Sequence, residues 1–133
     1  MQTSIEQQVL TVARQLVDAF GRNDTEAYFA AFSEDATFVF HTTPGVLDSR
    51  AAYRALWDSW QRDGFRVLSC ESRNPRVSVQ GNVGIFMHDV ATRVSLAGEA
   101  LESLERETIV FRQLTAQGQW LACHEHLSPM PAA

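Results

Sequence analysis

The chain has 133 residues, 45% of them apolar, which is enough for one domain that buries roughly two-thirds of its unfolded surface. Eleven Lys and Arg against sixteen Asp and Glu leave a net charge of −5 with no basic run, so the electrostatic footprint of a general nucleic-acid binder is missing. The start, MQTSIEQQ, is polar and nowhere do roughly 18 apolar residues run together; the expectation is a single soluble, cytoplasmic domain over 1–133 with neither nucleic acid nor membrane as partner.

Ile5, Val9, Val12, Ala13, Leu16, Val17 and Phe20 recur at helical spacing and predict an amphipathic helix over 5–20. Thr3 with Glu6, or Ser4 with Gln7, offers a capping box, and Gly21 a left-handed end. Asn23 and Asp24 precede a shorter helix with Ala27, Tyr28, Ala31 and Phe32 on its apolar face, and Ala36 to His41 reads as a strand. Ser49 caps a third helix, to about Asp63, with Tyr53, Leu56, Trp57 and Trp60 on one face. The period then changes to two. A segment from Phe65 to Val79, interrupted at Asn74-Pro75, is followed by a strand from Val83 to about Val94. A connection over 96–103 leads to a strand from Leu104 to Leu114, and the last strand is Trp120 to Ser128.

Helix, helix, strand, helix and four strands without intervening helices exclude an all-parallel sheet. The fold class is therefore α+β: a curved antiparallel sheet wrapped around three helices, cone-shaped, with a central cavity as the first place to look for function.

This order, with WLACHEHLS closing the chain after RETIVF and a Gly turn, resembles the nuclear transport factor 2-like (cystatin-like) superfamily and its SnoaL-like domains over nearly the whole chain. The nearest motif is that of the association domain of calcium/calmodulin-dependent protein kinase II, matched by Glu107-Thr108, Val110, Trp120, His124 and His126. The resemblance implies that the last strand turns His124 and His126, with Trp120, to a convex face where superfamily members pair as dimers, and turns Glu125 into the cavity. Phe86, His88 and Val110 are assigned to the same convex dimer patch. Where the association domain has pocket arginines, this chain has Ile109, Leu127 and Asp89, which favours a neutral or cationic ligand. The Tyr/Asp oxyanion pair of ketosteroid isomerases is not found in a clear position.

The cavity side is assigned Met87, Asp89, Ala91 and Arg93 on one strand, Ile109, Phe111, Cys123 and Leu127 on its neighbours, and Tyr28 and Trp57 from the helices. Asp89 and Glu125 are the candidate catalytic carboxyls, because a carboxylate in apolar surroundings has its pKa raised toward acid–base use; pairing with Arg93, Arg106 or Arg112 is the competing role. His124 and His126, two apart on a strand, could share a metal with His88, but no further ligand set accompanies them, so no metal site is assigned. Cys70 and Cys123, without zinc-type spacing, read as reduced thiols. No dinucleotide, P-loop, GxSxG or HExxH pattern occurs, and no cofactor is assigned. Three functions remain in play: a dimeric domain binding a small apolar or weakly polar molecule; a proton-transfer enzyme (isomerase, cyclase or dehydratase) using Asp89 or Glu125; and an association module.

Overall fold

In the computed structural model, which describes residues 3–131, the chain starts with α1 (Ile5–Gly21). The two residues at each end of the expected 1–133 domain lie outside the described residues. Ser4 is the N-cap, its hydroxyl accepting from the Gln7 N–H, and Val9, Ala13, Leu16 and Val17 form the buried stripe. The left-handed residue after the helix is Asn23 (φ 54), not Gly21. Gly21 is helical and serves contact instead, since a Cβ there would stand 3.3 Å from the Cys70 Cβ. The Asn23 side chain ties the helices together, exchanging hydrogen bonds with Gln61 and accepting from the Val67 N–H.

Asp24 caps the short α2 (Thr25–Ala30), and β1 (Phe32–Phe40) begins at once. Its first residues pair irregularly, with a register shift between Phe32 and Thr37; the regular part is the Thr37 to Phe40 stretch within the expected strand. Ser49 caps α3 (Arg50–Arg62), which buries Tyr53 and Trp57. Then follow β2 (Arg66–Gln80), β3 (Val83–Leu96), β4 (Glu99–Gln113) and β5 (Trp120–Pro129). The sheet order is β1-β5-β4-β3-β2. Three pairings are antiparallel, whereas the expected wholly antiparallel sheet departs at one edge, where β1 runs parallel to β5.

Two further expectations change. Asn74-Pro75 does not interrupt β2; Asn74 (φ 54) sits in an irregularity between Arg73 and Arg76, and pairing resumes beyond it. The 96–103 connection is a hairpin turn of only Ala97 (φ 51) and Gly98 (φ 86), the two positive-φ positions a two-residue turn needs. Register shifts in β2, between Val67 and Ser69 and between Arg73 and Arg76, and in the β4–β5 pair between Val110 and Phe111 bend the open sheet around the helices. Where α1 crosses β3 the Val9 side chain packs directly on the Gly84 backbone, and a Cβ on Gly84 would lie 2.6 Å from Val9 Cγ2. The core is largely aromatic: Tyr28, Phe29, Phe32, Phe38, Tyr53 and Trp57 are buried, with Phe38 and Tyr53 ring centroids 4.6 Å apart. Among the described residues no helix is long and apolar enough to cross a membrane.

Candidate functional site

The helices do not fill the concave side of the sheet. A cavity of about 370 Å³ remains, walled by Leu16, Val17 and Phe20 of α1, Tyr28 of α2, Tyr53, Trp57 and Trp60 of α3, and the inward residues of the sheet. Strand parity decides which those are. On β3 the buried positions are Gly84, Phe86, His88, Val90 and Thr92. Phe86 lies opposite Ile109 and Gly84 opposite Phe111, so these four residues share the inner face.

The β3 assignment is therefore inverted. Met87, Asp89, Ala91 and Arg93 lie on the outer face, and Phe86 and His88 turn inward, not into a convex dimer patch. Asp89 accepts a 3.0 Å hydrogen bond from Asn74 and stands 3.7 Å from Arg106, which is the ion-pair role weighed against catalysis. Arg93 pairs with Glu102 on the neighbouring strand.

β5 breaks strict alternation. Phe111 pairs with Ala122 and Val110 with His124, leaving Cys123 as the extra residue of a bulge. Trp120 and Ala122 consequently face inward with Glu125 and Leu127, while His124 and His126 face outward. Trp120 is thus buried core, its Nε1–H donating to Gln8, and is withdrawn from the dimer patch. Cys123 does not line the cavity but lies near Arg112 and Asp35, and burial pushes its thiol up. The cysteine at the cavity is Cys70, whose pKa burial pushes up to about 12. His124 accepts or donates at 2.7 Å with the Thr37 hydroxyl, and burial followed by the charge of His126 lowers its pKa. With His88 on the opposite face, the three histidines do not converge, and among the described residues no three His, Cys, Asp or Glu side chains gather as a metal site.

Of the expected cavity residues, Tyr28, Trp57, Glu125 and Leu127 line it; Ile109 and Phe111 face inward but are wholly buried in the core. The cavity's polar floor contains residues that the sequence reading missed. Glu105 and Glu107 have the parity of Ile109 and Phe111, so extending that alternation toward the start of β4 places them inside. Glu107 Oε1 accepts from His88 Nε2 at 2.7 Å, and His88 Nδ1 meets the Ser72 hydroxyl at 2.6 Å. Glu105 accepts from Ser103 and lies 2.6 Å from His41 Nε2.

Glu125 is different in kind. It is 4% exposed, Glu107 and Tyr28 are within interacting reach of its carboxyl, and its Oε2 has no hydrogen-bond partner among the described residues. Burial, and then the neighbouring charge of Glu107, raise its pKa well above the ordinary carboxylate range. The Tyr28 and Tyr53 hydroxyls are 2.9 Å apart, and burial raises both. The floor of this aromatic cavity therefore carries a buried carboxyl that holds its proton more tightly than an ordinary carboxylate does.

A family model described as SnoaL-like domain matches residues 9–133. No curated protein matches significantly. Solved structures do. A ketosteroid isomerase-like protein from Erwinia carotovora atroseptica superposes with a TM-score of 0.79 at 14% identity, covering 98% of this chain and 100% of the other. An NTF2-like protein with a cystatin-like fold from Novosphingobium aromaticivorans gives 0.72 at 16%, covering 96% and 82%. The CaMKII hub of S. rosetta gives 0.77 at 19%, covering 98% and 100%. At such identities the likeness shows the shared fold, and the activity has to be argued from the site.

Proposed function

We propose, on the premise that this chain belongs to the SnoaL-like domain family of the NTF2-like superfamily, that its cavity binds a small, largely apolar molecule carrying one hydrogen-bonding group. The observation that carries this is Glu125: a buried carboxyl with an unpartnered oxygen on the polar floor of a cavity whose walls are mainly aromatic and aliphatic side chains. Leaving such an oxygen unpaired is costly, and a ligand carbonyl or hydroxyl removes the cost. The volume, about 370 Å³, is at the small end of ligand pockets.

The test is a calorimetric comparison of small cyclic ketones and alcohols with their parent hydrocarbons. Glu125→Leu is expected to weaken the oxygen-bearing members about 5- to 150-fold, the cost of an unpaired buried polar group, and to leave the hydrocarbons unchanged. Equal losses for both classes, or no binding by either, would overturn the reading.

The adjacent Glu107 favours an enzymatic version of this reading, in which Glu125 transfers a proton to or from the bound molecule. A buried carboxyl whose pKa is raised, beside a second carboxyl that accepts from His88, places a proton donor next to a hydrogen-bonded partner, as acid–base catalysis requires. Glu125→Gln then keeps binding and abolishes turnover.

The outer sheet face supports self-association as a second copy's docking site. Ile85 pairs with Val110, and Met87 lies opposite Thr108, so β3 and β4 present apolar residues outward beside His124 and His126. Light scattering at micromolar concentration is expected to give twice the chain mass, and a charge placed centrally, Val110→Asp, to return it to one. A monomeric wild type removes the proposal.

A further inference from the structure

Two His–Glu contacts lie on the cavity floor, His88–Glu107 and His41–Glu105, beside the buried Glu125. Glu107 and Glu125 are diagonal neighbours on the inner face of the paired strands β4 and β5, Glu125 lying opposite Ile109, and two carboxylates in that position do not both ionise readily. Their surroundings are unequal. Glu107 receives an N–H from His88, whose side chain is wholly buried, and His88 is in turn met on its other nitrogen by Ser72. Glu125 has no cation and no N–H donor among the described residues; its polar neighbours are Glu107 and Tyr28.

The remaining titratable groups around the pair are Tyr53 on α3, Glu105 on β4 with its partner His41, and Cys70 on β2. Tyr53 and Cys70 are neutral at pH 7, their pKa values raised by burial. Glu105 acts on Glu125 in the same direction as Glu107, against a second charge. One direction of donation suits every member: Ser72 O–H to His88 Nδ1, His88 Nε2–H to Glu107, Tyr53 O–H to Tyr28, and Tyr28 O–H toward Glu125. It requires Nε2 of His88 to carry a hydrogen, and a hydroxyl donating to Nδ1 selects that tautomer.

We infer that His88, oriented by Ser72, is a positioning residue that fixes the negative charge on Glu107 and thereby leaves the shared proton on Glu125, where the cavity can use it. This rests on the reading of Glu125 as the cavity's neutral donor and adds to it the device that keeps the two glutamates unequal. His88 itself touches no ligand. Its role is indirect, as with the second partners that orient a functional carboxylate elsewhere.

The experiment is infrared absorption of the neutral carboxyl C=O at pH 7 on the free protein, with no substrate needed. Wild type is expected to show the band of one buried neutral carboxyl, lost in Glu125→Gln. His88→Phe removes the N–H donor, so Glu107 becomes neutral as well: the band rises to about twice its intensity, and a band now survives in the His88→Phe/Glu125→Gln double variant. His88→Gln, which returns an N–H donor, is expected to restore the wild-type spectrum. Ser72→Ala, at an exposed position where folding is not at stake, is expected to raise the band in the same sense as His88→Phe. If wild type lacks the band, the reading of Glu125 falls; if wild type has it and neither His88→Phe nor Ser72→Ala changes it, the role of His88 alone is overturned.

Discussion

Replacing Glu125 by Gln is expected to stabilise the protein, by an amount that grows with pH. The folded-state pKa of Glu125 lies well above the ordinary value, burial being the larger cause and the charge of Glu107 the next. In the unfolded chain the same carboxyl ionises near pH ~4.3. Between those two values the folded state holds a proton that the unfolded state has lost, so stability falls as pH rises, by at most about 1.4 kcal/mol per pH unit. Below the unfolded pKa both states are neutral and the penalty is absent. The amide of the Glu125→Gln variant does not ionise and has no such penalty at any pH. Thermal unfolding at pH 5 and pH 8 is expected to show a small difference between the proteins at the lower pH and a higher melting temperature for Glu125→Gln at the upper, about 3–5 °C for each kcal/mol in a chain of this size. Tyr28, Tyr53 and Cys70 also have raised values, but they start from higher ones and do not titrate in this window. Glu107→Gln is expected to end the pH-dependent loss at a lower pH, since it removes the neighbouring charge, which lowers the folded-state pKa of Glu125, and leaves the burial. A pH-independent difference between Glu125→Gln and wild type would show that Glu125 ionises normally.

The elements were legible in the sequence where local chemistry is decisive. Ser49 before the Tyr53–Trp57 stripe and Asp24 before Ala27 cap helices that start where expected, because a side-chain oxygen at that position satisfies an otherwise free N–H. Strand parity was not legible on β3. Ile85, Met87 and Ala91 on one side are as apolar as Phe86 and Val90 on the other, so hydropathy does not choose a face; the choice is made by register with β4 and by the approach of α1 at Gly84. On β5 the bulge at Cys123 carries no sequence mark, yet it reverses which side Trp120 takes relative to His124. The first part of β4 was hidden for another reason. Residues 99–104 are exposed on both faces, so they show no alternation, and their strand exists through backbone pairing with the stretch from Ala91 to Leu96. Glu105 and Glu107 fall within the expected strand and share the parity of Ile109 and Phe111, but charged residues at inward positions run against the hydropathy rule by which a cavity face is chosen. The candidate site was thus half visible: Glu125, Tyr28 and Trp57 through the family likeness and helical spacing, Glu105 and Glu107 only by carrying the alternation of Ile109 and Phe111 back along β4, and His88 only once β3 is aligned with β4.

Truncation of Trp57 to Ala is expected to have the largest effect on stability, and an apolar ligand should reverse part of it. Trp57 is wholly buried and yet borders the cavity, packing edge-on to Phe29, Tyr53 and Phe65 and donating from Nε1 to Thr25 at 3.0 Å. Removing it deletes the ring contacts, leaves Thr25 unpaired by this donor and opens the aromatic cluster into the cavity. The cost for a buried aromatic of this size is about 3–5 kcal/mol, or a melting temperature lower by roughly 10–20 °C. The space created is continuous with the existing cavity and lined by rings, so a planar apolar molecule such as indole has a place to bind. A ligand that binds only the folded state at about 100 times its dissociation constant returns about 2.7 kcal/mol. Thermal unfolding with and without indole is therefore expected to show a larger stabilisation for Trp57→Ala than for wild type. An equal response in the two proteins would mean that the core had collapsed into the vacated space, and that the wall formed by α3 is not the rigid boundary on which recognition of a ligand by shape depends.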